Sequence, residues 1–270
     1  MDVLINPIDR EALRNQFQNA QPYPHMVIDN FLAPGVAEEI SRSYPTFEQA
    51  SAQGFIFNFV NEQRKIQITD TKKFPDAVRR LNDAISSPAF MADLEYITGI
   101  PRILADEQLV GGGMHLTGSG GRLDVHVDFN LIEDRKLFRR LNILLYLNPV
   151  WNETWGGHIE LWDKGVRNCL HRCVPALNRC LIFETSDISY HGVAQVKAPP
   201  DVVRQSFAAY YYTREAPPSW RGTSHSTIFK ARPDEKLRGW VQMPAEKLRR
   251  RVIEKVRLSK KLVKSWMGLP

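Results

Sequence analysis

His126 and Asp128 stand two residues apart in Asp124-Val125-His126-Val127-Asp128-Phe129-Asn130. On a strand, period-2 geometry sends both side chains to one face. An imidazole and a carboxylate side by side on a rigid face make half of a metal site. Two histidines and one carboxylate form the usual non-haem Fe(II) arrangement, which grips the ion from one side and leaves positions open. Four downstream histidines could complete it: His158, His171, His191 and His225. The best candidate is His191, within the strand-like Ser189-Tyr190-His191-Gly192-Val193. It follows His126 by 65 residues, which is no obstacle if early and late strands meet at one barrel mouth.

Arg204 and Ser206 also alternate, in Arg204-Gln205-Ser206-Phe207-Ala208-Ala209-Tyr210-Tyr211. An arginine turned into an apolar barrel is costly unless an anion meets it. With a hydroxyl beside it, its forked donors suit a carboxylate. Each feature has a plainer reading alone. A single H-x-D is common, a strand histidine is usually just hydrogen-bonded, and a strand arginine usually lies at the surface. The order H-x-D, then His, then R-x-S inside one strand-rich segment is what carries weight.

The elements that must position these residues begin near 102. Short apolar stretches alternate with turns at 104–110, 113–117, 122–129, 141–147, 157–162, 167–174, 179–184, 189–196 and 204–213. That spacing predicts a β-sandwich or small barrel of jelly-roll type, with too little helical pattern for a βαβ fold. Residues 1–101 read as a helical and mixed support region. Helices are expected to about 20, over 34–42, 75–86 and 87–98, with strands at 25–32, 55–60 and 65–69. Residues 216–270 read as an irregular segment followed by a basic helix from about 244. The fold class is therefore mainly β with helical N- and C-terminal extensions: one domain with a core at 102–215 and appendages.

The resemblance rests on Gly112-Gly113-Met114-His115, Gly120-Gly121-Arg122-Leu123 running into the H-x-D stretch, and Arg140-Leu141-Asn142-Ile143-Leu144-Leu145-Tyr146-Leu147-Asn148. Trp155-Gly156-Gly157-His158-Ile159-Glu160-Leu161-Trp162, Tyr190-His191-Gly192 and Arg204-Gln205-Ser206 complete it. From about 111 to 213 the chain resembles the iron(II)/2-oxoglutarate-dependent dioxygenases, in their prolyl 4-hydroxylase-like branch. The resemblance implies a cupin-like double-stranded β-helix with His126, Asp128 and His191 holding Fe(II). It implies Arg204, helped by Ser206, on the distal carboxylate of 2-oxoglutarate, with Asn142 and His115 as further contacts and dioxygen as co-substrate. Many prolyl hydroxylases carry Lys where Arg204 stands and Tyr near the position of His115. Halogenating relatives replace the carboxylate by a small residue; Asp128 therefore favours oxygen transfer. The implied reaction is hydroxylation of a small molecule. The alternatives are a prolyl-type protein hydroxylase and a metal-binding cupin-like protein without oxygenase activity. Arg122, Asn130 and His158 are substrate candidates, and the charged stretch 132–139 is either a loop over the iron or a solvated connection.

The 270-residue chain has a net charge of +6, yet the stretch 245–265 holds nine Lys/Arg against two acids. The remainder is close to neutral, so the basic balance gives no reason to expect nucleic-acid binding. The tail suits a solvated helix face, an anionic membrane surface or a protein partner. The N-terminus lacks a basic segment followed by an apolar one, and no apolar run approaches 18 residues, so a cytoplasmic protein is expected. Cys169, Cys173 and Cys180 make no disulfide framework. Cys169, His171 and Cys173 could share a strand face, but a zinc site there would need more ligands.

Overall fold

The computed structural model describes residues 4–235 and 237–245; the expected basic helix falls almost wholly outside them. The first part of the chain runs α1 (Arg10–Asn19), β1 (His25–Ile28), α2 (Val36–Ser43), α3 (Phe47–Gln53), β2 (Phe55–Phe57), β3 (Glu62–Ile68), α4 (Asp76–Ile85) and α5 (Pro88–Thr98). The rest is β4 (Leu104–Ala105), β5 (Gly113–Val127), β6 (Leu131–Ile132), β7 (Leu137–Tyr146), β8 (Ile159–Trp162), β9 (Cys169–Cys173), β10 (Cys180–Glu184), β11 (His191–Val193), β12 (Arg204–Thr213) and β13 (Ile228–Lys230).

Local chemistry explains the helix ends. Asp9 accepts from the Ala12 amide at the start of α1. Ser87 caps α5 and Pro88 occupies its first turn, while Gly99 closes it in the left-handed region. α3 was not anticipated, although Thr46 and Gln49 form a reciprocal capping box that the order T-x-x-Q signals. β13 was not anticipated either, because three residues carry no alternation to read.

The strands form one curled antiparallel sheet, ordered β1-β10-β7-β12-β5-β11-β8-β9, with β3 and β13 also on β5. This is the expected jelly-roll arrangement of mainly antiparallel strands. Residues before 102 do more than support it, since β1 pairs with β10 and β3 with β5. β5 is the hinge of the architecture. Its first part pairs with β12, from Arg204↔Thr117 to Ala208↔Gly113, and its last part pairs with β11 and β13. Between them Gly118–Gly121 loop out of the β3 register, which passes from Gln63↔Arg122 to Lys65↔Thr117. The glycines that suggested a turn between two strands make a bulge within one. Backbone bonds from Gly120 N to Val196 O and from Val196 N to Gly121 O keep it fastened.

Strand alternation divides the sheet into two faces. Met114, Leu116, Ile143, Leu145, Phe207 and Tyr211 pack outward against Leu81, Ile85, Leu94 and Ile97 of the helices. Their neighbours His115, Thr117, Asn142, Leu144, Arg204 and Ser206 turn inward and line a cavity. The helical layer thus lets the sheet bury one face in oil and spend the other on chemistry. Gly113 holds the entry to β5 with φ +88°, and an added Cβ would lie 2.2 Å from the Ile68 carbonyl oxygen. Gly113→Ala is expected to cost roughly 2 kcal/mol or more, read as a lower denaturant midpoint at unchanged m-value.

Candidate active site

β5 and β11 bring the two histidines together, because His191 pairs directly across from His126. Their ring centroids are 4.3 Å apart. Each ring is fixed from behind: His126 Nδ1 lies 2.9 Å from the Asp124 carbonyl and His191 Nδ1 lies 2.9 Å from the Ser189 carbonyl. A carbonyl only accepts, so both Nδ1 atoms carry the proton and both Nε2 lone pairs face the cavity. Asp128 closes the triangle, with Oδ1 3.5 Å from His126 Nε2 and Oδ2 3.5 Å from His191 Nε2. One ligand atom from each of the three lies within 4.8 Å of the others, and no other such metal-capable cluster occurs among the described residues. Cys169, His171 and Cys173 sit on β9 and form no such cluster; all three cysteines are free.

The charge state matches the ligand role. Burial raises the Asp128 carboxyl, but Arg139 and the two histidines outweigh it and hold the group well below its usual range. Burial and the neighbouring His126 push His191 down to about 3, so it is a neutral donor at physiological pH. Arg139 Nη2 is 3.1 Å from Asp128 Oδ2, and Asn142 Nδ2 donates to the same oxygen at 2.8 Å. Arg139 in turn donates from Nε to Asn142 Oδ1 at 2.9 Å and stacks over Tyr210 at 3.6 Å. Asn142 is thus engaged on both sides while it also lines the cavity. Arg139 belongs to the charged stretch 132–139, most of which forms the β6–β7 hairpin and not a loop without structure.

Arg204 is buried on the same wall. Its Nε donates to the Gly157 carbonyl at 2.6 Å, and Nη1 donates to Ser206 Oγ at 3.3 Å. Its guanidinium lies 5.0 Å from the Tyr146 ring centroid. No carboxylate of the described residues pairs with it, and burial lowers its pKa. The Tyr146 hydroxyl is buried beside it, with the guanidinium as its polar neighbour. A buried guanidinium that meets no carboxylate among the described residues fits an anion that arrives from outside. Tyr146 was missed in the sequence, although it shares strand parity with Asn142.

Leu123, Leu144, Ile159 and Val193 provide the apolar walls of the cavity. His115 lines it too; burial and Lys65 keep its imidazole neutral, and its Nε2 lies 3.1 Å from the Gly111 carbonyl. Arg122 reaches the rim but is held by Asp124 at 2.9 Å and Glu235 at 2.5 Å. Asn130 and His158 are not among the lining residues. Asn130 bonds to the backbone of Thr223 and His225, and His158 Nε2 lies 3.6 Å from Glu160. Beyond the cavity the inner face continues across the sheet through the row Thr117, Lys65 and Phe57. Lys65 Nζ lies 5.0 Å from the Phe57 ring centroid, and Phe55, two residues on, is largely exposed.

A jelly roll that faces two histidine nitrogens, a carboxylate and a buried anion-seeking arginine into one cavity defines a non-haem metal oxygenase barrel. Residues 112–212, which hold all of these groups, match the family model of the 2OG-Fe(II) oxygenase superfamily, and over that stretch the chain is 2OG-Fe(II) oxygenase-like. Members of that superfamily use Fe(II), 2-oxoglutarate and dioxygen. The chain is 30% identical over 78 residues to a prolyl 3-hydroxylase, OGFOD1, of Mus musculus; the match spans 27% of this chain and 14% of that protein. Among solved structures it is similar to a Trichoplax adhaerens prolyl hydroxylase in complex with a hypoxia inducible factor peptide. The TM-score there is 0.52 at 18% identity, over 75% of this chain and 90% of that one. It is also similar to the epimerase SnoN in complex with Fe3+, alpha ketoglutarate and nogalamycin RO, with TM-score 0.50 at 13% identity, over 86% and 89% of the two chains. At these identities the likeness is one of fold. No described helix is long and apolar enough to cross a membrane.

If the triangle is the metal site, Asp128→Ala and His191→Ala should each weaken Co(II) binding by at least about 100-fold, beyond the ~10–100-fold typical of outer partners. Calorimetric titration of the folded variants checks this.

Proposed function

We propose that the protein is an Fe(II)- and 2-oxoglutarate-dependent hydroxylase that oxidises an unactivated C–H bond of a small molecule. The observation that carries the cosubstrate assignment is the buried Arg204, which lacks a carboxylate partner and shares a cavity with the three ligands. When bound, Fe(II), 2-oxoglutarate and dioxygen supply the oxidising chemistry: the oxoacid leaves as succinate and carbon dioxide, and one oxygen atom enters the C–H bond. His126, Asp128 and His191 hold the metal. Arg204 and Tyr146, with Ser206 as spacer to the guanidinium, receive the distal carboxylate. Asn142 and Arg139 fix Asp128 Oδ2, so that Asp128 keeps one orientation throughout. His115 contributes a neutral wall beside Ser206. Leu144, Ile159 and Val193 keep water from the reacting centre.

The make-up of the cavity supports the small-molecule reading, since apolar walls with a few convergent polar groups are usual for such ligands. A second reading, hydroxylation of a prolyl residue in a protein, is favoured by the open row Lys65–Phe57–Phe55 at the edge strand β2, which could take up an extended chain. The two prolyl hydroxylases named above support this second reading, and the SnoN structure with nogalamycin RO supports the first. Incubation with Fe(II) and 2-oxoglutarate, followed by mass spectrometry of metabolite and peptide pools, separates the two. Oxygen gained only by a peptide removes the small-molecule reading.

The cosubstrate site has its own test in 2-oxoglutarate turnover measured as succinate. Arg204→Ala should raise KM for 2-oxoglutarate by about 30-fold or more, as expected for loss of a buried charged pair. Tyr146→Phe should raise it about tenfold, the worth of one hydrogen bond to a charged group. Unchanged KM in both would remove 2-oxoglutarate from this wall and favour a metal-binding protein without oxygenase activity.

A further inference from the structure

The stretch that matches the family ends at 212, yet the chain returns to the metal ligands after it. β13 adds to the free side of β5, with Ile228↔Val127, Phe229↔His126 and Lys230↔Val125 in register. The Phe229 ring lies against His126, with centroids 5.3 Å apart. Three residues later Arg232, itself buried, reaches across the two strands that carry the histidines. Its Nη2 donates to the Leu123 carbonyl on β5 at 3.3 Å and to the Val193 carbonyl on β11 at 3.1 Å. Leu123 and Val193 are register partners in the same ladder that pairs His126 with His191.

The side chains around Arg232 form a closed ionic group. Its Nε donates to Glu160 Oε2 at 2.8 Å. Its Nη1 lies 3.7 Å from Asp124, a fully buried carboxylate that also meets Arg122 at 2.9 Å and Arg238 at 3.0 Å. Glu235 returns to Arg122, and Arg238 donates to the Val60 carbonyl. Three guanidinium groups face three carboxylates, so the group is neutral as a whole. Asp124 is also the residue whose carbonyl accepts the His126 Nδ1 proton. The bond that fixes the His126 tautomer therefore comes from a residue whose side chain is held by arginines from beyond the matched stretch.

We propose that Phe229 and Arg232 form a clasp that positions the metal ligands: Phe229 orients the His126 ring and Arg232 fixes the β5–β11 spacing that brings His126 and His191 together. The proposal rests on the reading of His126, Asp128 and His191 as the metal site. Phe229 and Arg232 are positioning residues, since neither is among the residues that line the cavity.

The test is Co(II) titration of the full-length, metal-free protein, followed by ligand-field absorption and by calorimetry. Arg232→Gln and Phe229→Ala should each weaken Co(II) binding by about tenfold or more, as loss of groups that orient a ligand does. Both should also alter the Co(II) spectrum at saturation. Phe229→Leu keeps an apolar cover over the ring and should restore affinity to within a few-fold of the wild type. Lys230→Ala, on the same strand and directed to Tyr190 and the Lys164 carbonyl, should leave affinity unchanged. Wild-type Co(II) affinity and spectrum in both Arg232→Gln and Phe229→Ala overturn the clasp, even if both lower thermal stability. Should Arg232→Gln not fold, the contrast between Phe229→Ala and Phe229→Leu decides alone. Failure of the wild-type chain to bind Co(II) would overturn the metal reading itself, and the clasp with it.

Discussion

The direct pairing of His191 with His126 across two antiparallel strands is the constraint on which the rest of the structure depends. A facial metal centre needs ligand atoms within a few ångströms, while the two residues are far apart in the chain. A register pair solves this, because partners in adjacent strands share a face and cannot drift along it. The cost is transferred to β5, which must serve β12 at one end and β11 at the other. The bulge at Gly118–Gly121 meets that demand. It breaks the ladder with β3 locally and lets one strand supply His115 and Thr117 to the Arg204 side of the cavity and His126 to the His126–Asp128–His191 cluster.

Electrostatics impose a second constraint, which the chain meets in two opposite ways. Asp128 is buried and fully compensated: Arg139 faces one oxygen, Asn142 donates to it, and Tyr210 and Phe129 shield the guanidinium. Arg204 is buried and meets no carboxylate among the described residues. The contrast is informative. A fold able to neutralise one buried charge so completely leaves another open only where a ligand completes it. The open charge therefore says more about the bound ligand than the residues that are already satisfied.

Much of this was legible because strand alternation is local. Spacing of two placed His126 beside Asp128 and Arg204 beside Ser206 without any tertiary information. The same parity carried from Asn142 would have reached Tyr146. Arg139 could not be found that way. It stands three residues from Asn142, on the wrong parity, and turns inward because β12 and β7 slip register between Tyr211↔Leu141 and Tyr212↔Arg139. A bulge is set by packing between strands, and the local pattern does not record it. Phe229 and Arg232 were hidden for a related reason: their segment has no periodicity, and its partners lie more than a hundred positions earlier on β5. Asn130 and His158 erred in the other direction. Both are polar residues near the motifs, but their hydrogen-bond needs are met by a distant loop and by Glu160, so neither is free to face the cavity.

The position of the substrate follows from which walls are already committed. The floor beneath Arg204 is the part proposed for the cosubstrate, and the back of His126 is closed by Phe229. The remaining approach runs over Lys65 toward β2, where Phe57 and Phe55 continue the inner face outward. Adjacent strands lie about 4.8 Å apart, so the step from Thr117 on β5 to Phe57 on β2 is roughly 10 Å. A ligand that touches both the metal region and this aromatic edge must therefore be longer than a single amino acid. A ring-bearing small molecule of that length and a short extended peptide both satisfy it; a compact metabolite would use the cavity and leave the aromatic edge bare. The exposed Phe55 thus ties substrate length to a visible surface: if the aromatic edge contacts substrate, the chain acts on an elongated molecule.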